Sequence, residues 1–374
     1  MTAAIIPLFA TVNGKPLENS MVETLQSGAI ASGPNVSLLE QRLAEKLGLS
    51  DLVTLADMTS AIYMALLLSG VGKGDRVMTT SFACLATTSA IAQIGAEPVW
   101  VDTEENSFNF DCVDAERKIC SKVKAVLLYH VAGYPSDSLR VYQFCESHNI
   151  KLIEDCNNAM FAKVDSVYAG SIGHYSVFSF YPNRQINGIE GGALHCKNPE
   201  DSSRVRRLRR YGIDGARFRD ALGEIRVDLD IKEHGWSLTM NNLNCGVALC
   251  QVDDAEQRVE QARTNAQYLY NNLNRLPSLE FIEPVKNTNP SYWVMLALVE
   301  NRDVVLKELK SQGVMVSKLH QCNDQYSFFK KSTDKVNLPN TRCIEDRIIA
   351  FPVGWWLSQS QLETMVEKVK AVCA

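Results

Sequence analysis

Four short segments hold side chains whose types and spacing suit chemistry. In Asp57-Met58-Thr59-Ser60-Ala61-Ile62, hydroxyls stand where a strand-like pattern gives way to a helical one. Hydroxyls and free amides at a helix N-terminus suit a phosphate, and they equally suit a plain N-cap. In Ile153-Glu154-Asp155-Cys156-Asn157-Asn158, carboxylates end a buried strand-like run. A buried carboxylate needs a cation or donors to offset its desolvation. A protonated pyridine nitrogen is one such cation; a helix cap is the simpler alternative. Residues 178–192 form the third segment. A strand ends in the hydroxyl of Ser179, a polar loop carries one cation, Arg184, and Gly191-Gly192 allows a sharp turn. The guanidinium fork can clamp a phosphate or carboxylate, and the buried look of the flanking strands argues against a surface arginine. The fourth segment, residues 235–243, is a polar helix start to which the residues alone assign no function.

Positioning these groups requires a rigid sheet. Between about residues 50 and 200, strand-like runs at 76–79, 97–101, 125–130, 151–154, 176–180 and 193–196 alternate with helical patterns such as 60–68 and 87–94. This alternation predicts a mostly parallel sheet covered by helices, with ligands at the carboxyl ends of its strands. Around residue 240 the texture changes. Val252, Ala255, Val259, Ala262, Ala266, Leu269 and Leu273 make one apolar stripe, predicting a long helix that starts after Asn241-Asn242 and ends near Pro277. Segments 292–298, 303–312 and 361–372 then suggest a small α+β unit. The expected division is a large unit over 1–245 and a smaller one over 246–374.

The 374 residues are 46% hydrophobic and 22% charged, enough for a sizeable core. A net charge of −5 gives no general attraction to nucleic acid or an anionic membrane. The run Arg204, Arg206, Arg207, Arg209 and Arg210 reads as the solvated face and end of a helix, with an anion patch as the alternative. Eleven cysteines lie scattered without metal-ligand spacing, so no metal site is expected and the thiols are read as reduced, in a cytoplasm. No apolar run approaches the ~20 residues that span a bilayer.

In their order and spacing the four segments resemble the DegT/StrS-type (DegT/DnrJ/StrS) pyridoxal-phosphate sugar aminotransferases. The likeness extends from Ser27-Gly28-Ala29-Ile30-Ala31-Ser32-Gly33-Pro34 through Gly74-Asp75, Glu97-Pro98-Val99 with Asp102, and His130 with Gly133, to Lys318-Leu319-His320. It implies a fold-type I α/β architecture, aspartate aminotransferase-like. By this resemblance Asp155 faces the pyridine nitrogen, Asn158 lies toward the ring hydroxyl, and Thr59, Ser179 and the amides around Met58 hold the phosphate. His320 joins Arg184 as a candidate catalytic residue. It also implies a homodimer with shared sites, Ser237 reaching across, and a keto-sugar or nucleotide-sugar substrate.

The departures from the family pattern carry as much information. Arg184 stands where the Schiff-base lysine belongs, and a guanidinium, protonated at any working pH, cannot form that imine. Met58 replaces a glycine and is expected to obstruct close approach of the phosphate loop. Cys84 replaces a stacking aromatic, and Ser237 an asparagine. A laboratory Lys→Arg change accounts for the first departure but not the others, so the arginine is read as natural. Three readings follow: a sugar-modifying enzyme without lysine-dependent transamination, using a non-covalent pyridoxal or pyridoxamine phosphate or no B6 cofactor; a conventional aminotransferase using another lysine, such as Lys163 or Lys318; and a catalytically silent partner that binds a sugar nucleotide.

Overall fold

A computed structural model describes residues 5–331 and 336–373. Its strands, in chain order, are β1 (Val53–Leu55), β2 (Arg76–Thr80), β3 (Glu97–Val101), β4 (Val123–Tyr129), β5 (Lys151–Asp155), β6 (Lys163–Val164), β7 (Val167–Tyr168), β8 (Tyr175–Ser179), β9 (Gly192–Cys196), β10 (Leu279–Phe281), β11 (Thr288–Asn289), β12 (Met295–Val299) and β13 (Ile348–Phe351). Seven of them form the central sheet, ordered β1-β9-β8-β5-β4-β2-β3. Its neighbours pair in parallel except where β9 runs antiparallel to both β8 and β1. Every residue of β1, β8 and β9 is buried, as expected of strands covered on both faces. The alternation read from sequence is therefore correct. Within the central sheet only β1 escaped it, because three residues show no period; the two-residue β6 and β7, outside that sheet, escaped it for the same reason.

Helix Met58–Leu68 illustrates how the sheet is covered. Asp57 caps it by accepting the Ser60 N–H at 2.8 Å, and Met58, Ala61, Ile62, Met64, Ala65 and Leu66 are buried along its length. Its first turn lies against β9. A methyl group on Gly192 would sit 2.7 Å from the Asp57 carbonyl and the Met58 nitrogen, so only glycine permits this approach.

A second sheet, β10-β12-β13, is antiparallel and packs with helices Arg302–Ser311, Gln359–Cys373 and the long Val252–Leu273. The predicted single long helix is in fact two, Asn242–Leu249 and Val252–Leu273. The break at Gln251 has a cause: its side-chain amide bonds both the N–H and the carbonyl of Asn187. The N-terminal segment also departs from expectation. Ile6 exchanges backbone hydrogen bonds with Gly313 and Met315 and joins the core of the smaller sheet, not that of the large one.

The basic run is less solvated than its composition suggests. Arg206 binds Asp51 and Glu40, Arg209 binds Glu40 and the Thr54 carbonyl, and Arg204 pairs with Glu233. The Arg206 and Arg209 bonds tie the end of helix Pro199–Leu208 to β1 and the residues before it. Among the described residues no helix is long and apolar enough to cross a membrane.

Candidate active site

The carboxyl ends of β2, β4, β5 and β8 meet a loop from the smaller sheet's side, and most of the expected residues assemble there. Asp155 ends β5, fully buried; its carboxylate accepts the Thr87 hydroxyl at 2.7 Å and the Asn157 N–H at 3.0 Å. Burial raises its pKa, only partly opposed by these donors. Tyr129 ends β4 and was not anticipated from the sequence. Its hydroxyl accepts from Asn158 Nδ2 at 3.0 Å and lies 3.2 Å from His320 Nε2. His320 is also edge-on to Phe82. Burial, then the charge of Arg184, push the imidazole pKa down to about 4. The ring is thus neutral at pH 7, and Nε2 can accept the Tyr129 proton.

Arg184 lies in the loop after β8, half-buried. Nη1 donates to Asn183 Oδ1 at 2.6 Å, and the guanidinium carbon sits 4.9 Å from the Trp293 ring centroid and 5.8 Å from that of Tyr181. Nε is buried with no partner. Asp155 and Tyr129 influence the charge electrostatically, but Arg184 forms no ion pair with Asp155 or Glu190. Burial accordingly lowers its pKa, although a guanidinium remains protonated. Cys84, half-buried at the start of helix Leu85–Gln93, faces the same cation.

Neither Lys163 nor Lys318, the alternative lysines weighed from the sequence, is buried with Asp155. Lys163 is on β6, stacked 5.0 Å over the Tyr168 ring. Lys318 is exposed and lines an open cleft with Arg302, His320, Glu345 and Asp346.

The helix N-terminus lies nearby in the fold but differs from expectation. Among the described residues the Thr59 hydroxyl has no hydrogen-bond partner, and the Ser179 hydroxyl accepts the Tyr181 N–H at 3.3 Å. Met58 does not obstruct: its side chain is turned into the core with Val53, Ala61 and Leu194. The real departure is the capping residue. Asp57 takes both the N–H and the hydroxyl of Ser60. Glu190 has its pKa raised by burial and by the Asp57 charge. Two carboxyl groups therefore attend a position where hydroxyls and backbone amides are expected. Ser237 bridges to Arg210, and the adjacent Leu238 carbonyl accepts the Ala56 N–H at 2.8 Å, which sets this segment beside Asp57.

A model of the DegT/DnrJ/EryC1/StrS aminotransferase family matches residues 13–370. The chain belongs to that family. Among its relatives, the Spore coat polysaccharide biosynthesis protein SpsC of Bacillus subtilis is 25% identical over 381 residues, covering 98% of this chain and 97% of its own. The GDP-perosamine synthase of Escherichia coli O157:H7 is 27% identical over 302 residues, 80% of this chain and 79% of its own. The crystal structure of AtS13 from Actinomadura melliaura superposes with a TM-score of 0.93 at 28% identity, covering 99% of this chain and all of that one. The sugar aminotransferase Spr1654 of Streptococcus pneumoniae, solved in PLP and PMP forms, shares the fold with a TM-score of 0.90 at 22% identity; the alignments cover 98–99% of each chain. The architecture is that of the fold-type I aminotransferases.

The residues present fit only half of a pyridoxal phosphate. At the ring end, Asp155 is in place, and the side-chain oxygen of Asn158 and both polar atoms of Asn157 are buried without partners. At the phosphate end, Asp57 already occupies the helix terminus with negative charge, and Glu190 adds a second acid group. A dianion placed there meets like charge beside the hydroxyls of Thr59 and Ser179. Arg184 offers no amine for an imine.

Proposed function

We propose that this chain acts on a keto sugar or nucleotide-linked sugar in surface-polysaccharide or natural-product synthesis, without lysine-dependent transamination and without anchoring a B6 phosphate. One observation carries the reading: the cation at the lysine position is held by aromatic faces and an amide, and among the described residues no carboxylate forms an ion pair with it. An unpaired guanidinium opening on the strand ends is suited to an anionic group of a ligand. Its roles divide simply. Arg184 holds the anion; Tyr129 fixes the ring of His320; His320, kept neutral by burial and by Arg184, is a proton acceptor at pH 7. Family membership and the names of the relatives support a sugar substrate.

The same reading includes a two-fold homodimer in which the Ser237 segment helps to complete the neighbouring site. Residues 217–230 form an arm that leaves Leu222 87% exposed, with Ile225 and Val227 also uncovered. Such apolar exposure is consistent with a covering subunit. Light scattering at micromolar concentration should give twice the 41.6 kDa chain mass; a monomer would count against shared sites.

The deciding experiment measures ligand binding by saturation-transfer NMR against a panel of nucleotide-linked and free keto sugars. Binding that is lost in Arg184→Ala, together with turnover of at least one sugar, supports the proposal. Binding without turnover favours the silent-partner reading. In parallel, borohydride reduction after incubation with pyridoxal phosphate should leave every pocket residue unmodified. A reduced adduct on a lysine, found by mass spectrometry, would overturn the lysine-independent reading.

A further inference from the structure

Among the described residues no carboxylate pairs with Arg184, so other groups must fix where this long side chain points. Trp293 does this in two ways. Its ring Nε1–H donates to the Asn183 carbonyl at 2.8 Å, and its ring lies 4.9 Å from the Arg184 guanidinium carbon. Asn183 links the two contacts, since its Oδ1 accepts Arg184 Nη1 at 2.6 Å. Trp293 is anchored in turn. Its backbone N–H donates to the Ala132 carbonyl at 3.1 Å, in the turn that follows Tyr129. Phe9 stacks on its ring, with centroids 4.3 Å apart and planes 19° from parallel. The segment that carries Phe9 is pinned on both sides. Ile6 exchanges backbone hydrogen bonds with Gly313 and Met315, the Pro7 carbonyl accepts Trp356 Nε1–H at 3.1 Å, and the Val12 carbonyl accepts Asn187 Nδ2 at 3.4 Å.

We propose that Trp293 is the positioning residue for Arg184, and that Phe9, stacked on the same ring, is needed to hold it. The inference rests on the reading of Arg184 as the holder of a ligand's anionic group. An aromatic face attracts a cation through its quadrupole yet leaves the N–H donors at the guanidinium rim free. A carboxylate in the same place would take those donors and cancel the charge. A ring therefore suits a cation that has to stay available. The ring must also keep its plane, and three contacts restrain it: the Ala132 bond, the Asn183 bond and the Phe9 stack. Phe9 is the one that comes from outside the loops of the site, and losing it frees the ring to tilt and the guanidinium to follow. The place of the charge can be read at His320, where Arg184 is the charged group that opposes protonation. Tyr129, Cys84, Asp155 and Tyr181 act electrostatically on Arg184 itself; Phe9 and Trp293 add no titratable group.

The test uses the full-length protein without ligand. NMR titration of the His320 imidazole reports how near the charge lies. The Arg184 Nε–H cross-peak, assigned by its loss in Arg184→Gln, reports the guanidinium directly. Phe9→Leu keeps apolar volume but removes the stacked ring, and Phe9→Tyr keeps the ring. Phe9→Leu should move the His320 midpoint upward from about 4 by at least half the displacement that Arg184→Gln produces. It should also carry the cross-peak out of the Trp293 ring current. Phe9→Tyr should keep both wild-type values. Trp293→Phe, which loses the donor to Asn183, should act in the direction of Phe9→Leu and carries the same comparison if that variant does not fold. Combining Phe9→Leu with Arg184→Gln should give the midpoint of Arg184→Gln alone, because the ring acts only through the cation. A further upward move in the double variant would mean that Phe9 merely helps to bury His320, and the proposal would fall. An unchanged cross-peak in Phe9→Leu would overturn it as well. If Arg184→Gln leaves His320 unmoved, the cross-peak alone decides. Since no ligand is used, failure here leaves the sugar reading standing, whereas failure of that reading shows as wild-type protein that binds no sugar of the panel.

Discussion

Nε2 of His320 lies 3.2 Å from the hydroxyl of Tyr129, with the Arg184 charge close enough to oppose protonation of the ring. Because burial is the larger of the two causes, removing the charge should recover only part of the shift. In an NMR titration, the wild-type imidazole should titrate near pH 4, and in Arg184→Gln it should move upward but stay below 6.5. The sign for stability follows from linkage. The folded pKa is below the unfolded value of 6.5, so between about pH 6.5 and 4 the unfolded chain binds a proton that the folded chain refuses. His320 therefore contributes a loss of stability as pH falls through this window, with no further loss below about 4. Melting curves of His320→Gln should fall less steeply with acid. Parallel curves would show that the ring is not held neutral.

The Arg184 side chain breaks no ion pair when it is removed, so Arg184→Ala should fold and melt within a few degrees of the wild type. A fall much larger than that would identify the arginine as a structural plug. Arg184→Lys is the sharper variant. It restores the amine but leaves Asp57, Glu190, Cys84 and Ser237 unchanged. No aminotransferase turnover is expected on a panel of keto sugars. Brisk turnover from this one change would show that only the lysine had been lost.

Much of this site was visible in the sequence because strand ends are. Asp155, Ser179 and Arg184 each follow a short apolar run, and such runs in a parallel sheet deliver their last residues to one edge. Tyr129 follows the same rule but reads as one more apolar residue of β4, since nothing local marks a phenol that will meet His320 from 191 positions away. Met58 was misjudged for a related reason: position in a motif does not tell which way a side chain turns, and the core under β1 and β9 takes it. Asp57 has no role of its own in the sequence reading, where the neighbouring hydroxyls carry both the phosphate and the N-cap alternatives. Its significance depends on Glu190, which only the turn after the Arg184 loop brings near.

Glu154, next to the site, offers a test of the fold itself. Fully buried, its carboxylate faces His130 Nε2 at 3.2 Å, the Ser138 hydroxyl at 2.8 Å, and the N–H groups of Gly170, Ile172 and Gly173 at 3.2, 3.0 and 2.6 Å. Burial raises its pKa, but His130 and the other donors outweigh it and hold the carboxyl below the usual value. Glu154→Gln turns an acceptor into an NH₂ group aimed at donors, and should cost about 3–5 kcal/mol in urea unfolding at pH 7. The sign with pH is the ordinary one for a depressed carboxylate: the contribution is complete above pH 4.5 and is lost as pH falls through the folded pKa. The wild type and the variant should therefore converge in acid. A cost under about 1 kcal/mol would mean that the network is not holding a charge.

Asp57 decides whether the helix N-terminus can still hold a phosphate. A helix of eleven residues presents free N–H groups and a positive dipole end there, which ordinarily favour an anion. Here the anion is supplied by the chain: Asp57 takes the Ser60 N–H and hydroxyl, and Glu190 places a second carboxyl close enough to feel its charge. Opposing a unit charge over a few ångströms at a protein-like effective dielectric costs on the order of 1–4 kcal/mol. Such a cost removes the advantage that a phosphate normally gives its ligand. Comparing pyridoxal phosphate with pyridoxal isolates this effect, because the two share a ring and differ only in the phosphate. Titrated by absorbance, wild type should bind the phosphate ester no tighter than the alcohol. Asp57→Ser keeps a hydroxyl that can cap the helix. It should improve pyridoxal phosphate binding at least about tenfold, the equivalent of about 1.4 kcal/mol, and leave pyridoxal unchanged. Glu190→Gln should act in the same direction but more weakly, since Glu190 is exposed and its charge is screened by solvent. Added salt should narrow the difference between wild type and Asp57→Ser, as screening requires. Micromolar binding of pyridoxal phosphate to the wild type, with pyridoxal much weaker, would show that the cradle works despite its acids.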